Sequence, residues 1–345
     1  MQHKYTSEQL KEFRALPLTR KINLTKTRLI EWYQMHDNKC YVSFSGGKDS
    51  TVVADLTAQV CKTLGCKLTL WFSDTGLEYP EIKEHVKSYA NYLRDRYGIE
   101  VDLIIDFPKD KNGKRIWFKD VIHKYGYPII SKDVAEMVGR VQRNGEISRR
   151  TGKKSMAAKL LDNEELMPDG NLSKFNIPQW KFLVNADFPI SGACCKIMKK
   201  NPGKRFNKES GLFPIIGTMT EESMQRRNKW LQNGCNAFDG DHPSSRPISF
   251  WTEQDVLAYI ALNELPIASV YGDVVFDESA LKYYTTGVKR SGCVFCGLGA
   301  HKETRPNRFD VLKETHPELY DYCMRPETRG GLNLDHVLTY AKIPH

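Results

Sequence analysis

Three segments in the first third of the chain are short, mainly apolar runs, and three others have apolar residues at every third or fourth position. The first pattern is typical of buried strands and the second of amphipathic helices. Pro80 and Gly98 mark the beginning and the end of the third helical segment. The predicted strands are CYVSF (40–44), KLTLWFSD (67–74) and EVDLIIDF (100–107), and the predicted helices are 26–37, 51–65 and 80–98.

Strands and helices alternate over this region. Such alternation predicts a parallel sheet with right-handed crossovers, and therefore an α/β doubly wound fold. In sheets of this kind, ligands bind at the carboxyl ends of the strands. SGGKDS (45–50) follows the first strand and FSDTGLE (72–78) ends the second. We therefore expect both segments to face one crevice.

Between residues 108 and 208 the pattern loosens into basic and polar segments with short helices. Strand character returns at GLFPIIGTM (211–219), and three further helices are predicted beyond it. These are 252–264 with Thr252 as N-cap, 310–324 with a break or restart at Pro317, and 334–343. The expected organisation is an N-terminal extension (1–24), an α/β domain (25–300) with a basic insertion at about 108–210, and a helical C-terminal segment (301–345).

The composition is that of a soluble globular protein. Hydrophobic residues make up 40% of the 345 positions and charged residues 27%, which excludes a fibrous or wholly disordered chain. No apolar run approaches the ~20 residues of a membrane span. The first residues also lack the apolar stretch of a signal peptide. These features predict a cytoplasmic protein without a membrane partner.

The net charge of +9 is concentrated in the middle of the chain. Residues 109–208 contain 22 Lys and Arg against 10 Asp and Glu, a net of +12, and the rest of the chain carries −3. A segment this basic suits a polyanion such as a nucleic acid, because neutralised phosphates release their counterions. The alternative is a solvated basic surface that keeps the protein soluble.

SGGKDS has the composition of a phosphate-binding loop. Gly46 and Gly47 allow the backbone to approach an anion closely, and the helix that follows directs its free N–H groups and positive dipole end toward it. Lys48 adds a point charge, and Ser45 and Ser50 add hydroxyl donors. An ordinary strand-to-helix turn is the alternative interpretation.

The loop is not a Walker A motif. Val42 stands at the position of the first Walker glycine, and Lys48 is followed by Asp49 instead of Ser or Thr. The sequence therefore predicts a phosphate site of a different class.

Four of the nine cysteines form two close pairs. Cys194 and Cys195 are adjacent, and after 97 intervening residues Cys293 and Cys296 form a Cys-x-x-Cys pair flanked by glycines. Clustered cysteines in a reducing compartment more often bind metal or react than form disulfides. Four thiolates suffice for a [4Fe–4S] cluster or a tetrahedral zinc ion, and free or redox-active thiols are the third alternative.

The remaining cysteines carry weaker signals. Cys40, Cys61 and Cys66 fall in or beside apolar segments and are expected to be small core residues. Cys235 and Cys323 are open to either interpretation, as core residues or as sulfur-carrying thiols. For His301, shortly after Cys296, a surface position is expected, and contact with a cluster or phosphate is the alternative.

SGGKDS resembles the pyrophosphate-binding loop (PP-loop) of the adenine nucleotide α-hydrolase superfamily, whose members cleave ATP between the α and β phosphates. Within that superfamily the chain resembles the phosphoadenosine phosphosulfate (PAPS) reductase family. Supporting segments are FSDTGLEYPE (72–81), GTMTEESMQRR (217–227), RPISFWTEQDVLAYI (246–260) and PIASVY (266–271). The third motif of the family begins Gly-x-Arg, and here Met219 replaces that Arg.

The resemblance implies roles for individual residues. Lys48, Asp49 and Arg226 would be catalytic. Asp74, Thr75 and Gly76 would line the adenosine pocket. The implied nucleotide-binding residues also include Ser43, Ser45, Gly46, Gly47, Lys48, Asp49, Ser50, Glu222 and Ser223.

The spacing of the four cysteines resembles that of adenylylsulfate (APS) reductases and of DNA phosphorothioation sulfurtransferases. It implies a [4Fe–4S] cluster held by Cys194, Cys195, Cys293 and Cys296. Lys196, Lys199 and Lys200, next to the first pair, would stabilise thiolates and a negatively charged cluster.

The resemblance implies an enzyme that binds ATP with Mg²⁺, forms AMP and pyrophosphate, and transfers sulfur to an acceptor. The phosphate loop of the reductases typically departs from SGGKDS, whereas here it is intact. The chain also ends in LTYAKIPH, without the Glu-Cys-Gly-x-His motif of the reductases. We therefore expect a sulfurtransferase whose acceptor is a nucleic acid, either a DNA backbone or a tRNA base, and whose donor is a protein such as a cysteine desulfurase.

Two alternatives remain. The first is a PAPS or APS reductase that releases sulfite and takes electrons from a thioredoxin, with Cys323 or Cys235 as nucleophile. The second is a nucleotide-sensing, nucleic-acid-binding module whose cysteines hold zinc and which does not turn over ATP.

Overall fold

The structure is a computed structural model that describes residues 3–240 and 242–345. The chain forms two compact units. Unit 1 consists of Met1–Asp74, Glu78–Asp106 and Pro202–Ser291. Unit 2 consists of Thr75–Leu77, Phe107–Asn201 and Gly292–His345. Each unit is thus assembled from three separate segments of the chain.

The strands are β1 (Cys40–Ser43), β2 (Leu68–Ser73), β3 (Val101–Asp106), β4 (Ile129–Ile130), β5 (Phe213–Ile216), β6 (Asn236–Ala237), β7 (Ser244–Ser245), β8 (Val274–Asp277), β9 (Lys282–Thr285) and β10 (Gly297–Leu298). The helices are α1 (Ser7–Ala15), α2 (Leu18–Met35), α3 (Lys48–Leu64), α4 (Pro80–Tyr97), α5 (Phe118–Tyr125), α6 (Lys132–Asn144), α7 (Met156–Leu161), α8 (Asn201–Ser210), α9 (Met224–Asn233), α10 (Glu253–Leu262), α11 (Arg308–Thr315), α12 (Pro317–Met324) and α13 (Leu334–Tyr340).

Unit 1 is built on a six-stranded sheet with the order β3-β2-β1-β5-β7-β6. The pairs β3–β2, β2–β1, β1–β5 and β5–β7 are parallel, and β6 joins β7 antiparallel. In the central register, Val42 lies between Leu70 and Ile215. Because these strands are parallel, the segments that follow β1, β2 and β5 emerge at one edge of the sheet. The predicted α/β fold with a parallel sheet is confirmed.

The core of unit 1 lies between this sheet and its helices. Helix α3 is buried along most of its length. Large aromatic side chains fill the surrounding space, among them Trp32, Tyr89 and Trp251, all fully buried. Asp55 of α3 is also fully buried, and its carboxylate accepts hydrogen bonds at 2.7 Å from the hydroxyls of Tyr97 and Tyr259. These donors offset part of the cost of a buried charge.

Helix α2 begins eight residues before its predicted start. The predicted helix was 26–37, whereas α2 runs over Leu18–Met35. Two core-facing positions in its first half are polar, which hides the apolar period. Lys21 is 2% exposed and forms a salt bridge with Asp255 at 2.6 Å, and the buried hydroxyl of Thr25 donates to the Pro247 carbonyl.

Two predicted helix signals are confirmed. Thr252 precedes α10 and its hydroxyl accepts a hydrogen bond from the N–H of Asp255 at 3.2 Å, as an N-cap does. The segment 310–324 is interrupted before Pro317, because proline cannot continue the helical hydrogen bonding of the preceding turn. His316 separates α11 from α12 there.

Unit 2 is mainly helical, with α5–α7 from the middle of the chain and α11–α13 from its end. Its two-stranded parallel sheet pairs β4 with β10, and these strands are more than 160 residues apart in sequence. The predicted basic insertion at about 108–210 supplies residues 107–201 of this unit. The boundaries proposed at residues 24 and 300 stay predictions. None of the described helices combines the length and the apolar character that crossing a bilayer requires.

Candidate functional site

The phosphate loop connects β1 to α3 in unit 1. Ser43 is the last residue of β1, and the N–H of Phe44 donates to the Trp71 carbonyl of β2 at 2.9 Å, which fixes the loop to the sheet edge. Gly46 has φ +72°, and a Cβ there would lie 2.8 Å from the side chain of Ile82 in α4. Only glycine fits both this conformation and this close packing.

Two serines hold the loop in shape. The Ser50 hydroxyl accepts from the N–H of Ser45 at 3.2 Å, donates to the Gly47 carbonyl at 2.9 Å, and lies 3.1 Å from the Ser45 hydroxyl. Gly47 is the N-cap residue of α3 and offers no side chain to its first N–H groups. The positive end of the helix is therefore available to an anion.

Lys48 begins α3 and is 6% exposed. Its ammonium lies 3.3 Å from a carboxylate oxygen of Glu253 and 5.3 Å from the ring centroid of Tyr271. The Tyr271 hydroxyl in turn donates to Ser291. Sequence reasoning quoted the segments that contain Glu253 and Tyr271 but assigned neither of them to the site. They approach Lys48 from more than 200 residues away in sequence, and only their motif context could have indicated them.

Asp49 follows in the first turn of α3, and burial raises its pKa to about 6. The nearby Glu222 raises it further, while the charge of Lys48 acts in the opposite direction. Gly217, after β5, packs on this turn, since a Cβ there would lie 3.1 Å from the Asp49 carbonyl oxygen. The loop after β5 is thus brought against the phosphate loop.

Glu222, Ser223 and Arg226 lie together in this second loop of unit 1. Glu222 pairs with Arg226, and its carboxylate also accepts from the N–H of Met219 at 2.9 Å. The Ser223 hydroxyl accepts from the N–H of Arg226 at 3.3 Å and caps α9. Arg246 is a further basic group here, and its pKa is lowered by burial and by the charge of Arg226.

The three residues predicted to line an adenosine pocket fall in different units. Asp74 ends the β2 segment in unit 1, where its carboxylate pairs with Lys83 at 2.7 Å. Thr75 and Gly76 belong to unit 2. Thr75 is buried and its hydroxyl accepts from the N–H of Leu77 at 3.2 Å. The adenosine pocket stays a prediction.

The four paired cysteines line one pocket of unit 2, of about 310 Å³ including the space open to solvent. The pocket is otherwise apolar except for Lys199. Its lining residues are Leu77, Phe118, Pro128, Cys194, Cys195, Met198, Lys199, Cys293, Phe295, Cys296 and Leu298. The structure therefore brings together two cysteine pairs that are separated by 97 intervening residues in the sequence.

Close backbone packing positions the first pair. Cys194 and Cys195 directly precede the π-helical turn Lys196–Lys200, a feature that often marks functional sites. The chain leading to them passes against α6, where a Cβ on Gly139 would lie 2.1 Å from the Ile190 carbonyl oxygen.

The second pair is held by a turn and by β10. The N–H of Cys296 donates to the Cys293 carbonyl at 3.1 Å. Gly297 follows and pairs with Ile129 of β4, where a Cβ on the glycine would lie 2.9 Å from the isoleucine side chain. Arg308 donates to the Cys296 carbonyl at 2.9 Å.

Burial and the neighbouring thiols both raise the pKa values of Cys194 and Cys296. Burial raises the pKa of Cys194, and the adjacent Cys293, Cys195 and Cys296 raise it further. Burial likewise raises the pKa of Cys296 to about 11, whereas Arg308 acts in the opposite direction. Four close thiols in an apolar pocket, with cations nearby, form the type of donor set that iron–sulfur clusters and structural zinc sites use. No group of three or more His, Cys, Asp and Glu side chains among the described residues is already arranged around one metal position, so it is the chemistry of the four donors, and not their geometry, that fits such a group.

The other cysteines lie elsewhere. Cys40 and Cys61 are buried, as predicted for core residues, and Cys66 is partly exposed. Cys235 and Cys323 are both buried, and burial raises the pKa of each thiol. Neither has the lowered pKa of an activated nucleophile.

The charges divide unevenly between the units. Unit 2 contains 26 Lys and Arg against 17 Asp and Glu, which accounts for the whole net charge of +9, and unit 1 contains 25 of each. Exposed basic residues of unit 2 include Lys111, Lys114, Arg149 and Arg150. The four-cysteine pocket therefore lies in the basic unit.

The sequence model of the phosphoadenosine phosphosulfate reductase domain matches residues 39–126 and 161–305, about two thirds of the chain. An α/β unit with a glycine-rich loop after β1 and motif residues at the same sheet edge agrees with this match. The chain belongs to the phosphoadenosine phosphosulfate reductase family.

No curated protein matches the chain. Among solved structures it is similar to "U34-tRNA thiolase NcsA from Methanococcus maripaludis with its [4Fe-4S] cluster". The identity is 16% and the TM-score 0.33, over 90% of this chain and 80% of that chain. A similarity of this size does not by itself indicate a shared activity.

Proposed function

We propose that this family member is an ATP-dependent sulfurtransferase that forms AMP and pyrophosphate and delivers sulfur to a nucleic acid. The observation that carries the proposal is the meeting of Cys194, Cys195, Cys293 and Cys296 in one pocket. The intact phosphate loop, with Lys48 buried at the start of α3, supports the ATP-dependent part.

In the nucleotide step, ATP with Mg²⁺ is the substrate. The first N–H groups of α3 and the ammonium of Lys48 would bind the phosphates and stabilise the charge of the leaving pyrophosphate. Glu253 holds Lys48 in the absence of nucleotide and would yield it to the phosphates. Asp49 and Arg226 are the remaining charged groups proposed for this step.

The reaction balances as two displacements. An oxygen of the acceptor attacks the α-phosphorus, the bond from that phosphorus to the bridging oxygen breaks, and pyrophosphate leaves. Sulfur at the oxidation level of sulfide then attacks the activated acceptor atom, and AMP leaves with the former acceptor oxygen. A donor such as a cysteine desulfurase supplies the sulfur as a persulfide, and a thiol reductant brings it to the sulfide level. The acceptor is a DNA backbone or a tRNA base.

The four cysteines would hold a [4Fe–4S] cluster, which would supply electron transfer, and an iron site for sulfur only where one thiolate leaves its iron. Lys199 and Arg308 would stabilise the thiolates, because both act to lower the pKa of thiols in this pocket. Zinc is the less favoured occupant, since adjacent cysteines fit the usual zinc knuckle poorly. A brown protein that contains iron after anaerobic purification is the expected finding, and a colourless protein that contains zinc contradicts it.

The test is incubation of the anaerobically purified protein with ATP and Mg²⁺, with and without nucleic acid, while AMP and pyrophosphate are measured. Pyrophosphate formation should rise with nucleic acid. Lys48→Ala should reduce it at least ~100-fold, because a positioned charge at the transferring phosphoryl group is lost. Lys67→Ala is the matched control, since Lys67 is exposed in the same unit and its ammonium pairs with Asp102 at 2.7 Å.

A parallel incubation with PAPS or APS, scored for sulfite, addresses the reductase alternative. Sulfite release without ATP turnover would contradict the proposal. Because Cys235 and Cys323 are buried, a reductase would have to use another thiol as nucleophile.

A further inference from the structure

Trp117 in unit 2 is the most exposed of the six tryptophans, with 51% of its surface accessible. The guanidinium of Arg115 lies 4.1 Å from the centroid of its indole ring and 5.1 Å from that of Phe107. Lys109 lies 4.6 Å from the Phe107 ring centroid. An aromatic ring that is held against a cation, with half its surface in solvent, is a surface on which a flat π-system can stack.

The position of this ring is fixed by its neighbours. The Trp117 N–H donates to Asp120 at 2.8 Å at the start of α5, and the next side chain, Phe118, is buried. A Cβ on Gly76 would lie 3.3 Å from the indole, so the ring packs on the backbone there. A preorganised ring loses little conformational entropy when a ligand binds to it.

A basic hairpin, residues 109–115, precedes Trp117 in the sequence. Lys109 and Arg115 are bridged antiparallel, and the Asp110 carboxylate accepts from the N–H groups of Asn112 and Lys114, both at 2.9 Å. This turn leaves Lys111 and Lys114 exposed at its tip, and neither forms a salt bridge within the described residues. Four of the seven residues from 109 to 115 are Lys or Arg. The hairpin thus offers positive charge close to an exposed aromatic surface.

The aromatic surface lies next to the four-cysteine pocket. Phe118, which follows Trp117, lines that pocket, and so does Leu77, which follows Gly76. Trp117 is therefore one residue away from the pocket lining along the chain and also through its contact with Gly76.

We propose that Trp117 and Arg115 form a platform on which an unpaired base of the nucleic acid acceptor stacks, while Lys111 and Lys114 bind the adjoining phosphates. This inference rests on the proposed function and names the binding mode of its acceptor. The base must be unpaired, because stacking on a side chain requires a π-face that a duplex keeps inside its own stack. A polynucleotide is favoured over the adenine of ATP, because the hairpin lysines offer further phosphate contacts along a strand.

The test measures binding of labelled single-stranded RNA, single-stranded DNA and duplex DNA of one sequence to the anaerobically purified protein by fluorescence anisotropy. Trp117→Ala should weaken single-strand binding about 10-fold, and Trp117→Phe should stay within about threefold of the wild type, since phenylalanine keeps a π-face. Phe175→Ala is the matched control. Phe175 is 65% exposed in the same unit and has Lys174 near its ring. Phe175→Ala should leave the affinity for single strands unchanged.

Replacing Lys111 and Lys114 together by Gln should lower the slope of log K against log salt by about 1.4, because two phosphate contacts to a single strand are lost. ATP affinity, measured by calorimetry, should be the same in Trp117→Ala and wild type. Equal loss of ATP affinity would assign the stacked base to ATP and overturn the proposal.

The outcomes separate the platform from the proposed function. If the wild type binds single strands and Trp117→Ala binds them equally well, the platform is wrong and the nucleic acid acceptor stands. If the wild type binds no nucleic acid, both the platform and the proposed acceptor are wrong. Tighter binding of the duplex than of either single strand also contradicts the platform.

Discussion

Asp49 has an environment that opposes its charge. It lies in the first turn of α3, where burial and the carboxylate of Glu222 raise its pKa to about 6, above the ordinary value of 3.8. Between these two values the folded state binds more protons than the unfolded state, so stability decreases as the pH rises through this window. Above it, the ionised carboxylate destabilises the fold.

Asp49→Asn should therefore raise the free energy of unfolding by about 3 kcal/mol at neutral pH, since the pKa of Asp49 is raised from 3.8 to about 6 and each pKa unit corresponds to ~1.4 kcal/mol. The gain should disappear below the ordinary carboxyl pKa of 3.8, where both proteins are neutral at this position. Urea denaturation as a function of pH measures it.

Asp133→Asn is the control for this substitution. Asp133 is also in the first turn of a helix, α6, but it is exposed. Its replacement should be neutral or slightly destabilising, because it removes only a favourable interaction with the helix dipole. A loss of stability in Asp49→Asn that resembles this control would contradict the unfavourable charge at Asp49.

At the same scale, the sequence predicted the residues of the phosphate loop but not the partners of Lys48. The loop is contiguous, and its glycines and hydroxyls have a local pattern that can be recognised. Glu253 and Tyr271 reach Lys48 only through the packing of distant segments. Only the family motifs in which they lie could have indicated this contact.

Helices α6 and α8 each contain a glycine in their interior, and the two glycines have opposite surroundings. A Cβ on Gly139 of α6 would lie 2.1 Å from the Ile190 carbonyl oxygen, in the segment that leads to Cys194. A Cβ on Gly203 of α8 would meet nothing closer than the Trp71 ring at 3.8 Å. Helix propensity favours alanine at both positions, whereas packing forbids it at the first.

Gly139→Ala should destabilise the protein by about 3 kcal/mol, because the backbone near Ile190 has to move. It should also lower the iron content, since that backbone positions the first cysteine pair. Gly203→Ala should stabilise the protein by up to ~1 kcal/mol. Thermal unfolding and iron analysis of both variants measure these effects, and equal behaviour of the two would contradict the packing argument.

At the scale of elements, the central strands and helices of unit 1 and the C-terminal helices of unit 2 were predictable, and the rest of unit 2 was not. Strands β1 and β2 are buried apolar runs, and α3 and α4 end at the glycines that the sequence indicated. The start of α2 was missed because Lys21 and Thr25 occupy core positions. Unit 2 depends on pairings such as β4 with β10, which consist of two residues on each strand and carry no periodic signal.

Over the whole molecule, the two units differ both in net charge and in the candidate site that each contains. Unit 1 is neutral and contains the phosphate loop, and unit 2 carries +9 and contains the four-cysteine pocket. Residues 127–160, which lie outside the family match, have 8 Lys and Arg against 3 Asp and Glu. The basic character is thus strong in a segment that the family model does not describe.

Because the phosphate loop and the four-cysteine pocket belong to different units, we expect that a substitution can inactivate one of them without affecting the other. Cys293→Ser should abolish iron binding and sulfur transfer while basal cleavage of ATP to AMP and pyrophosphate persists. Lys48→Ala should abolish the cleavage of ATP, and sulfur transfer with it, but keep the iron. Cys66→Ser, in the turn between α3 and β2, is the control that should retain both the iron and ATP cleavage. Loss of basal ATP cleavage in Cys293→Ser, with folding intact by circular dichroism, would show that the sites are not separable.

Because the chain is synthesised from its N-terminus, the four-cysteine pocket can be completed only late in synthesis. Cys194 and Cys195 leave the ribosome long before Cys293 and Cys296, and β4 has no partner strand until Gly297 and Leu298 emerge. Between these events the strands β5, β6 and β7 are made, which complete the sheet of unit 1. At that stage all strands of the six-stranded sheet have been synthesised, whereas only two of the four pocket cysteines are present. The cluster proposed above could therefore be bound by all four cysteines only after Cys296 has been synthesised.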